Sequence, residues 1–252
     1  MEDAHTLDSI LKQINNSLPR KLDYIKKEPV APTLCSKAYM AMGLSAPYTP
    51  IRVQESCNSK LVGILIAHPN TPLSKRQIVG KLDYYHHRSG DAVDFFCVGF
   101  GAYWPKGYYR DQQKVTKING ADWYFSNKAF TNVIEQLEAE SKWQYSGETE
   151  LLLMMAKKDP NGITSLDFDS SIVCNLDSMV LNNAISSVGN FFESIFRFAR
   201  NNDSSGDVLR YSDQQGFQVV QSALKEVVLS LLPKQIEDSF KKAEHFAVRS
   251  IK

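Results

Sequence analysis

His68 is the residue of this sequence that is best placed to do acid–base chemistry. It directly follows the apolar run 61–67, whose pattern predicts a strand covered on both faces. Pro69 and Pro72 end that strand, because a proline removes a backbone donor from the ladder. Ligands of parallel sheets bind beyond the carboxyl ends of the strands, and an imidazole titrates near neutral pH. The sequence therefore makes His68 the candidate catalytic acid or base.

The loop that follows the second predicted strand, 93–100, is expected to face His68. Its candidate ligand-binding residues are two glycines and two aromatic residues, Gly99, Gly101, Tyr103 and Trp104. The glycines let a ligand approach the backbone closely, and the aromatic rings could hold a planar ligand. An enzyme built here would also need a carboxylate, for which Asp111 and Asp122 are the nearest candidates in the sequence.

A second polar cluster, His86, His87 and Arg88, follows the helix predicted over 74–85. It lies at the opposite end of the predicted sheet from His68, so the two groups should not share a site. Adjacent histidines point to different faces of a helix and make a poor pair of metal ligands. We expect one histidine to pack and Arg88 to pair with a carboxylate, near a helix end whose dipole favours cations.

Two acidic pairs have the spacing of residues on one face of a strand. Glu148 and Glu150 could bind a divalent cation together, and Asp167 and Asp169 could approach them if the strand register allows it. No third ligand is visible. The sequence also contains no GxSxG elbow, phosphate-binding loop, HExxH or paired-cysteine pattern. We therefore predict no metal and no cofactor.

The composition is that of an ordinary globular protein. The chain has 252 residues, 43% of them hydrophobic, and a formal net charge of +1. The four cysteines are widely spaced without a CxxC pair, which favours reduced thiols over disulfides. Residues 1–5 are acidic with no apolar signal segment after them, and no stretch approaches the roughly 20 apolar residues of a membrane span. We expect a cytoplasmic protein without membrane contact.

Nucleic-acid binding stays open as an alternative. The near-zero net charge provides no global field that would attract a polyanion. A local basic cluster over 20–27 and a segment over 106–117, rich in lysines and tyrosines, could still make such a contact. The acidic residues within 20–28 dilute the first cluster and favour a solvated connector.

The predicted elements of the central region follow the order β-α-β-insertion-α-β-β-α. Their boundaries are 61–67, 74–85 and 93–100, then, after an aromatic insertion with a turn at Asn119–Gly120, 127–141, 148–157, 166–176 and 182–200. The first three form a βαβ unit, so their strands should be parallel. The last two strands, joined by a short turn, should be antiparallel.

Without the insertion, this order resembles that of a thioredoxin-like layered fold. The resemblance implies a three-layer or thioredoxin-like mixed sheet. The paired cysteines of thioredoxins are absent, because His68-Pro69-Asn70-Thr71 follows the first strand, so no thiol chemistry is expected. A flavodoxin-like or Rossmann-like sheet is the alternative, although its glycine-rich phosphate loop is also absent.

We predict three parts of the chain. Residues 1–59 form a helical N-terminal extension with helices over 6–18 and 34–42, residues 60–201 form the α/β core, and residues 207–252 form a helical hairpin after a polar linker. Helix 182–200 has an unusually wide apolar face. The residues of that face predicted to bind a partner are Phe191, Phe192, Ile195 and Phe196.

The missing catalytic motifs and the wide apolar face favour one function. We expect a non-enzymatic protein-interaction subunit of a cytoplasmic multi-protein assembly, with a protein partner or a second copy of the chain. The alternative is an enzyme or nucleotide-binding effector that uses the cleft formed by His68 and Gly99–Trp104. No motif decides whether the protein is an enzyme.

Overall fold

The computed structural model describes residues 3–29, 48–104, 107–183, 185–205 and 248–249. The helices are α1 (Leu7–Ser17), α2 (Leu82–Ser89), α3 (Asn127–Glu140), α4 (Leu176–Leu181) and α5 (Val188–Ser205). The strands are β1 (Arg20–Pro29), β2 (Tyr48–Cys57), β3 (Ser59–Ile66), β4 (Val93–Cys97), β5 (Phe100–Ala102), β6 (Gln113–Ile118), β7 (Ala121–Phe125), β8 (Glu150–Lys158), β9 (Thr164–Leu166), β10 (Ser171–Asn175) and β11 (Val248–Arg249). These ranges form a mixed α/β protein with three sheets and five α-helices.

The main sheet has the strand order β11-β10-β8-β3-β4, and β9 extends it beside β8. β3 and β4 are parallel, β8 is antiparallel to β3, and β10 is antiparallel to β8. The apolar runs 61–67 and 151–156 of the two central strands are buried. The structure thus contains the parallel βαβ unit and the antiparallel pair that the apolar runs predicted. The strand predicted over 166–176 is shorter than expected, because a short 3₁₀ turn, Phe168–Ser170, separates β9 from β10.

The crossover between β3 and β4 is a helical segment, 72–89, of changing geometry. It has a wide π-helical turn over Ser74–Ile78, a tight turn over Val79–Lys81, and then helix α2. The sequence predicts one regular helix here. Gly80, a poor helix former, lies in the tight turn, where the regular helix is interrupted.

Helices cover both faces of the main sheet. On one face, the ring of Phe95 lies 5.2 Å from that of Phe192 in α5, and Tyr85 of the crossover lies 5.0 Å from the same ring. On the other face, Ser17 at the end of α1 donates a hydrogen bond of 2.6 Å to Asp94. The side chains of neighbouring strand residues alternate between faces, so Asp94 and Phe95 point to opposite layers.

The apolar face of α5 is covered by the chain itself. The four side chains predicted to bind a partner are each no more than 1% exposed: Phe191, Phe192, Ile195 and Phe196. The helix predicted over 182–200 begins later, at Val188, and a separate short helix, α4, precedes it. Between the two, Asn183 adopts a positive φ of 56°. α5 also continues to Ser205, across most of the predicted linker.

A small second sheet follows β4, with the strand order β5-β7-β6. The hairpin between β6 and β7 turns at Asn119 and Gly120, whose φ values are 51° and 77°. Two successive positive φ values are typical of a tight hairpin turn and explain the Asn-Gly pair. The hairpin that the sequence predicted is therefore confirmed. Its aromatic residues Trp123 and Phe125 are buried against the core.

The N-terminal region differs from the predicted helical extension. α1 belongs to the core, because its Ile10 and Ile14 are fully buried. β1 and β2 form a two-stranded antiparallel ribbon that pairs residue by residue from Arg20 with Cys57 to Pro29 with Tyr48. The charged residues of 20–29 made this segment resemble a solvated connector. The predicted helix 34–42 and most of the C-terminal hairpin 207–252 lie outside the described residues.

Candidate functional site

Both ring nitrogens of His68 make hydrogen bonds within the chain. The amide of Asn70 donates to Nδ1 at 3.2 Å, and Nε2 lies 2.8 Å from Oδ1 of Asn127. Because Nδ1 accepts a hydrogen bond, the ring N–H is assigned to Nε2, which donates a hydrogen bond to Oδ1 of Asn127. The ring also packs edge-on against Phe125 and Phe130, at 5.0 and 5.4 Å. This arrangement holds the ring at the start of α3, with both of its nitrogens in hydrogen bonds within the chain.

The two glycines of the predicted cleft are covered by aromatic side chains of the protein. A Cβ on Gly99, whose φ is +79°, would lie 2.7 Å from Cβ of Phe130. A Cβ on Gly101 would lie 2.5 Å from the indole ring of Trp104. The glycines therefore permit close internal packing, which accounts for them without a ligand. Tyr103 points outward and is 85% exposed.

Trp104 lies beside the N-terminus of the described chain. The ring of His5 lies 5.9 Å from Trp104, 6.1 Å from Tyr108 and 6.4 Å from Tyr109, each edge to face. Asp3 accepts a hydrogen bond of 2.6 Å from the amide of Ala102. We call residues 3–5 together with Trp104 the N-terminal lock.

Backbone hydrogen bonds complete the N-terminal lock. The amide of Ala4 donates to the carbonyl of Phe100 at 2.9 Å, and the amide of Gly99 donates to the carbonyl of Ala4 at 2.8 Å. Sequence reasoning missed Asp3 and His5, because nothing local links them to a loop about 100 residues away. The aromatic richness of 103–109 was the one signal that this loop packs against something.

Burial sets the ionisation of the two side chains in the lock. It lowers the pKa of His5 below its usual range, and the carboxylate of Asp3 opposes this shift only in part. Burial likewise raises the pKa of Asp3, against the lowering effect of the Ala102 amide. Within the described residues, Nδ1 of His5 and Nε1 of Trp104 are buried without a hydrogen-bond partner. The lock is thus a largely apolar cluster that favours a neutral imidazole.

The other candidate carboxylates have structural partners. Asp111 accepts hydrogen bonds from the Ser126 hydroxyl at 2.7 Å and the Lys128 amide at 3.0 Å, at the start of α3. Asp122 pairs with Lys114 at 2.7 Å across the β6–β7 hairpin. His68 contacts Asn70 and Asn127 instead, so the predicted acid–base pair does not form among the described residues.

Arg88 of the second polar cluster pairs with a carboxylate, as expected, whereas neither histidine of the cluster is buried. Arg88 makes two hydrogen bonds to Glu193 of α5, at 2.7 and 2.6 Å. His86 lies 2.8 Å from the side-chain nitrogen of Asn119 in the β6–β7 turn, and His87 lies 3.8 Å from Asp83. These contacts tie the crossover helix to α5 and to the second sheet.

The acidic pairs do not form a metal site. Glu150 is buried and accepts a hydrogen bond of 3.0 Å from the indole of Trp143, whereas Glu148 is exposed and accepts one from Asn175. Asp167 lies at the opposite end of β8, where it pairs with Lys157 at 3.2 Å. Among the residues that the structure describes, no group of three or more potential ligands is placed to hold a metal ion.

The carboxyl end of β3 borders an open groove of about 420 Å³, which we call the edge groove. Its walls are the start of the crossover helix, the loop before β8, and helix α4. Its apolar and charged lining residues include Leu73, Arg76, Glu148, Asp177, Val180 and Leu181. Cavities of about 300–1,000 Å³ are typical of small-molecule sites, and the ends of sheet strands are a common place for them.

Hydrogen bonds hold the two carboxylates of the edge groove in place. Asp177 accepts from the amide of Thr149 at 2.7 Å, and Glu148 accepts from the side-chain amide of Asn175 at 2.5 Å. Burial raises the pKa of the nearby Tyr145 to about 12, and the negative charges of Glu150, Asp177 and Glu148 add to this shift.

The β1–β2 ribbon is the other unusual surface. In the described part of the chain, it pairs with no third strand. Three apolar side chains on it are 40–67% exposed: Ile25, Tyr48 and Ile51. Lys21 and Arg52 are exposed on the same ribbon. α5 lies against β1 and anchors the ribbon to the core.

The fold defines a mixed α/β protein with an exposed β-ribbon and a groove at the edge of its main sheet. No family model, curated protein or solved structure matches the chain. No helix among the described residues is both long enough and apolar enough to cross a membrane.

Proposed function

We propose that this protein is a non-enzymatic interaction subunit of a multi-protein assembly and that it binds its partner through the β1–β2 ribbon. The observation that carries the proposal is the exposure of Ile25, Tyr48 and Ile51 on two paired strands. By the register of the ribbon, Ile25 and Tyr48 lie on one face and Ile51 lies on the other. Exposed apolar side chains, together with charges on the same ribbon such as Lys21, are a feature of protein interfaces.

No third strand pairs with the ribbon within the described residues, and this suggests how the partner binds. An unpaired strand edge presents alternating backbone donors and acceptors, which a strand of another chain can pair with. Two-stranded ribbons are marginally stable alone, so a third strand would stabilise this one. The partner is therefore a protein with an exposed strand or an extended segment.

The state of the polar side chains supports a non-enzymatic role. His68 has both ring nitrogens in hydrogen bonds with the chain. The thiols of Cys97 and Cys174 are buried, and burial raises the pKa of both, that of Cys174 to about 12. Thiols in this state are poor nucleophiles. The alternative function, an enzyme or nucleotide-binding effector in the predicted cleft, has less support because aromatic rings cover Gly99 and Gly101.

Light scattering on protein purified with its co-expressed native neighbours tests the proposal. We expect the wild-type chain in a complex larger than its own 28.4 kDa. The Ile25→Glu variant should lose the complex. Ile163→Glu is the matched control, because Ile163 is 65% exposed on the turn between β8 and β9 and not on the ribbon. A monomer in the wild type, or a complex that Ile25→Glu leaves intact, would contradict the proposal.

A nucleic-acid partner is the alternative occupant of the ribbon. It predicts binding that weakens steeply as salt increases, because counterions are released from the polyanion. We expect fluorescence anisotropy of labelled DNA and RNA to remain flat at low salt. A rise that Lys21→Ala and Arg52→Ala reduce would favour nucleic acid over protein.

We also propose that the core is three-layered and thioredoxin-like, without thioredoxin chemistry. The strand order β4-β3-β8-β10 supports this assignment. In it, β4 and β3 are parallel, β8 is antiparallel to β3, and β10 is antiparallel to β8.

We further propose a cytoplasmic protein, supported by the free thiols of Cys57, Cys97 and Cys174. A comparison of its migration with and without a reducing agent, after rapid alkylation in cells, tests that location.

A further inference from the structure

The edge groove contains charges of both signs. Arg76 lines one wall, on the crossover helix, while Glu148 and Asp177 line the facing loop and helix α4. Among the ion pairs of the described residues, within 4 Å, none includes any of these three side chains. The cation and the two anions thus line one groove without neutralising each other.

The groove is apolar between these charges. Leu73 is buried beneath it, and Val180 and Leu181 line the wall formed by α4. Leu181, the last residue of α4, is 81% exposed. A ligand that filled the groove would cover this side chain and gain from its burial.

We propose that the edge groove binds a zwitterionic ligand of the size of a short apolar peptide, with its carboxylate on Arg76 and its ammonium group between Glu148 and Asp177. A guanidinium is planar and matches a carboxylate with two parallel hydrogen bonds. The two acidic residues, held by Asn175 and Thr149, provide the complementary negative end. The apolar side chains of the peptide lie on Leu73, Val180 and Leu181.

This site is independent of the β-ribbon. The lining residues come from 71–76, 147–148 and 177–181, and none belongs to β1 or β2. The groove is also distinct from the predicted His68 cleft, because His68 is not among its lining residues. Binding of a peptide here and binding of a protein at the ribbon can therefore succeed or fail separately.

Titration of the isotope-labelled full chain with leucyl-leucine, followed by NMR, tests the site. We expect saturable amide shifts centred on 71–76 and 177–181. The same dipeptide with an acetylated amino end, or with an amidated carboxyl end, should bind about tenfold more weakly, because each lacks one charge-assisted contact. These two comparisons use the wild-type protein and do not depend on the folding of any variant.

Two charge variants assign each end of the ligand. Arg76→Gln should weaken leucyl-leucine about tenfold while leaving the affinity of the amidated dipeptide unchanged. Glu148→Gln should weaken leucyl-leucine and leave the acetylated dipeptide unchanged. Lys75→Gln is the matched control, since Lys75 is an exposed neighbour that does not line the groove. It should bind as the wild type does.

Three results would overturn the assignment. The first is the absence of any shift at millimolar leucyl-leucine. The second is equal affinity for the free and capped dipeptides. The third is a set of shifts that maps outside the edge groove.

Discussion

Arg88 and Glu193, 105 residues apart in the sequence, face each other with two parallel hydrogen bonds of 2.7 and 2.6 Å. Tyr84 donates a third, of 2.8 Å, to the same carboxylate. Together these bonds fix the crossover helix against α5, the two elements that cover one face of the main sheet. Hydrogen bonds from Arg88 lower the pKa of Glu193 to about 2.

The first prediction concerns the acid stability of this pair. The pKa of Glu193 is lower in the folded chain than its ordinary value of 4.5, so the stabilisation is complete above that value and is lost as the pH falls to about 2. Glu193→Gln should lower stability at neutral pH and flatten the curve between these limits. Urea unfolding at a series of pH values measures this.

Glu135→Gln provides the control for that series, because Glu135 is an exposed carboxylate on α3. It should follow the wild-type curve. If Glu193→Gln also followed the wild-type curve, the pair would contribute nothing to acid stability.

The second prediction concerns Gly101. Its Ala variant places a Cβ 2.5 Å from the Trp104 ring, so the indole must shift. Overpacking of this kind costs about 1–3 kcal/mol. Denaturant unfolding should show this loss, and the fluorescence of Trp104 should move to longer wavelength as the ring becomes exposed. Gly80→Ala is the matched control, since nothing lies within 4 Å of its Cβ position. It should leave stability unchanged or raise it slightly.

The third prediction separates structural from catalytic roles of His68. His68→Ala removes two hydrogen bonds and two ring contacts, and should lower stability by about 1–2 kcal/mol. Formation of the complex with the co-expressed neighbours should be unchanged. His87→Ala, at a side chain that is 59% exposed, should be nearly neutral. Loss of biological activity in a stably folded His68→Ala protein would favour the enzyme alternative.

The fourth prediction concerns the N-terminal lock. Burial gives His5 a lower pKa in the folded chain than in the unfolded chain, so the unfolded state binds the proton first as the pH falls. The lock should therefore be fully closed above about pH 6.5 and weaken below it. The protection of the Gly99 and Ala102 amides from hydrogen exchange, measured relative to their intrinsic exchange rates, should therefore decrease on acidification.

His5→Phe keeps an aromatic ring in the lock and removes the titration. Its amide exchange should show no transition in that pH range beyond the intrinsic dependence of exchange. A transition that persisted in this variant would assign the opening to another group, with Asp3 the first candidate.

Local patterns predicted the elements that local forces determine. The apolar runs 61–67 and 151–156 became the central strands, because nothing but a fully covered strand suits them. α3 begins at its predicted boundary, where the Ser126 hydroxyl accepts a hydrogen bond from the amide of Ala129. The Asn119–Gly120 turn formed for the same reason.

Contacts between distant parts of the chain could not be predicted in this way. β1 ends at Pro29 and pairs with β2, which begins 19 positions later at Tyr48. Neither strand has a strong apolar alternation that would have predicted it. The apolar face of α5 was interpreted as an interface because the rings that cover it, Tyr85 and Phe95, come from segments about 100 residues earlier. Periodicity indicates that a face is buried, but not by which partner.

The place of β8 between β3 and β10 also affects how the protein is made. β3 is complete at Ile66, whereas its antiparallel neighbour begins only at Glu150. During synthesis, the ribosome must therefore add more than 80 residues while the backbone edge of β3 that later pairs with β8 has no strand beside it. Such edges invite pairing with other nascent chains. This edge stays open to such pairing until β8 emerges and closes the sheet.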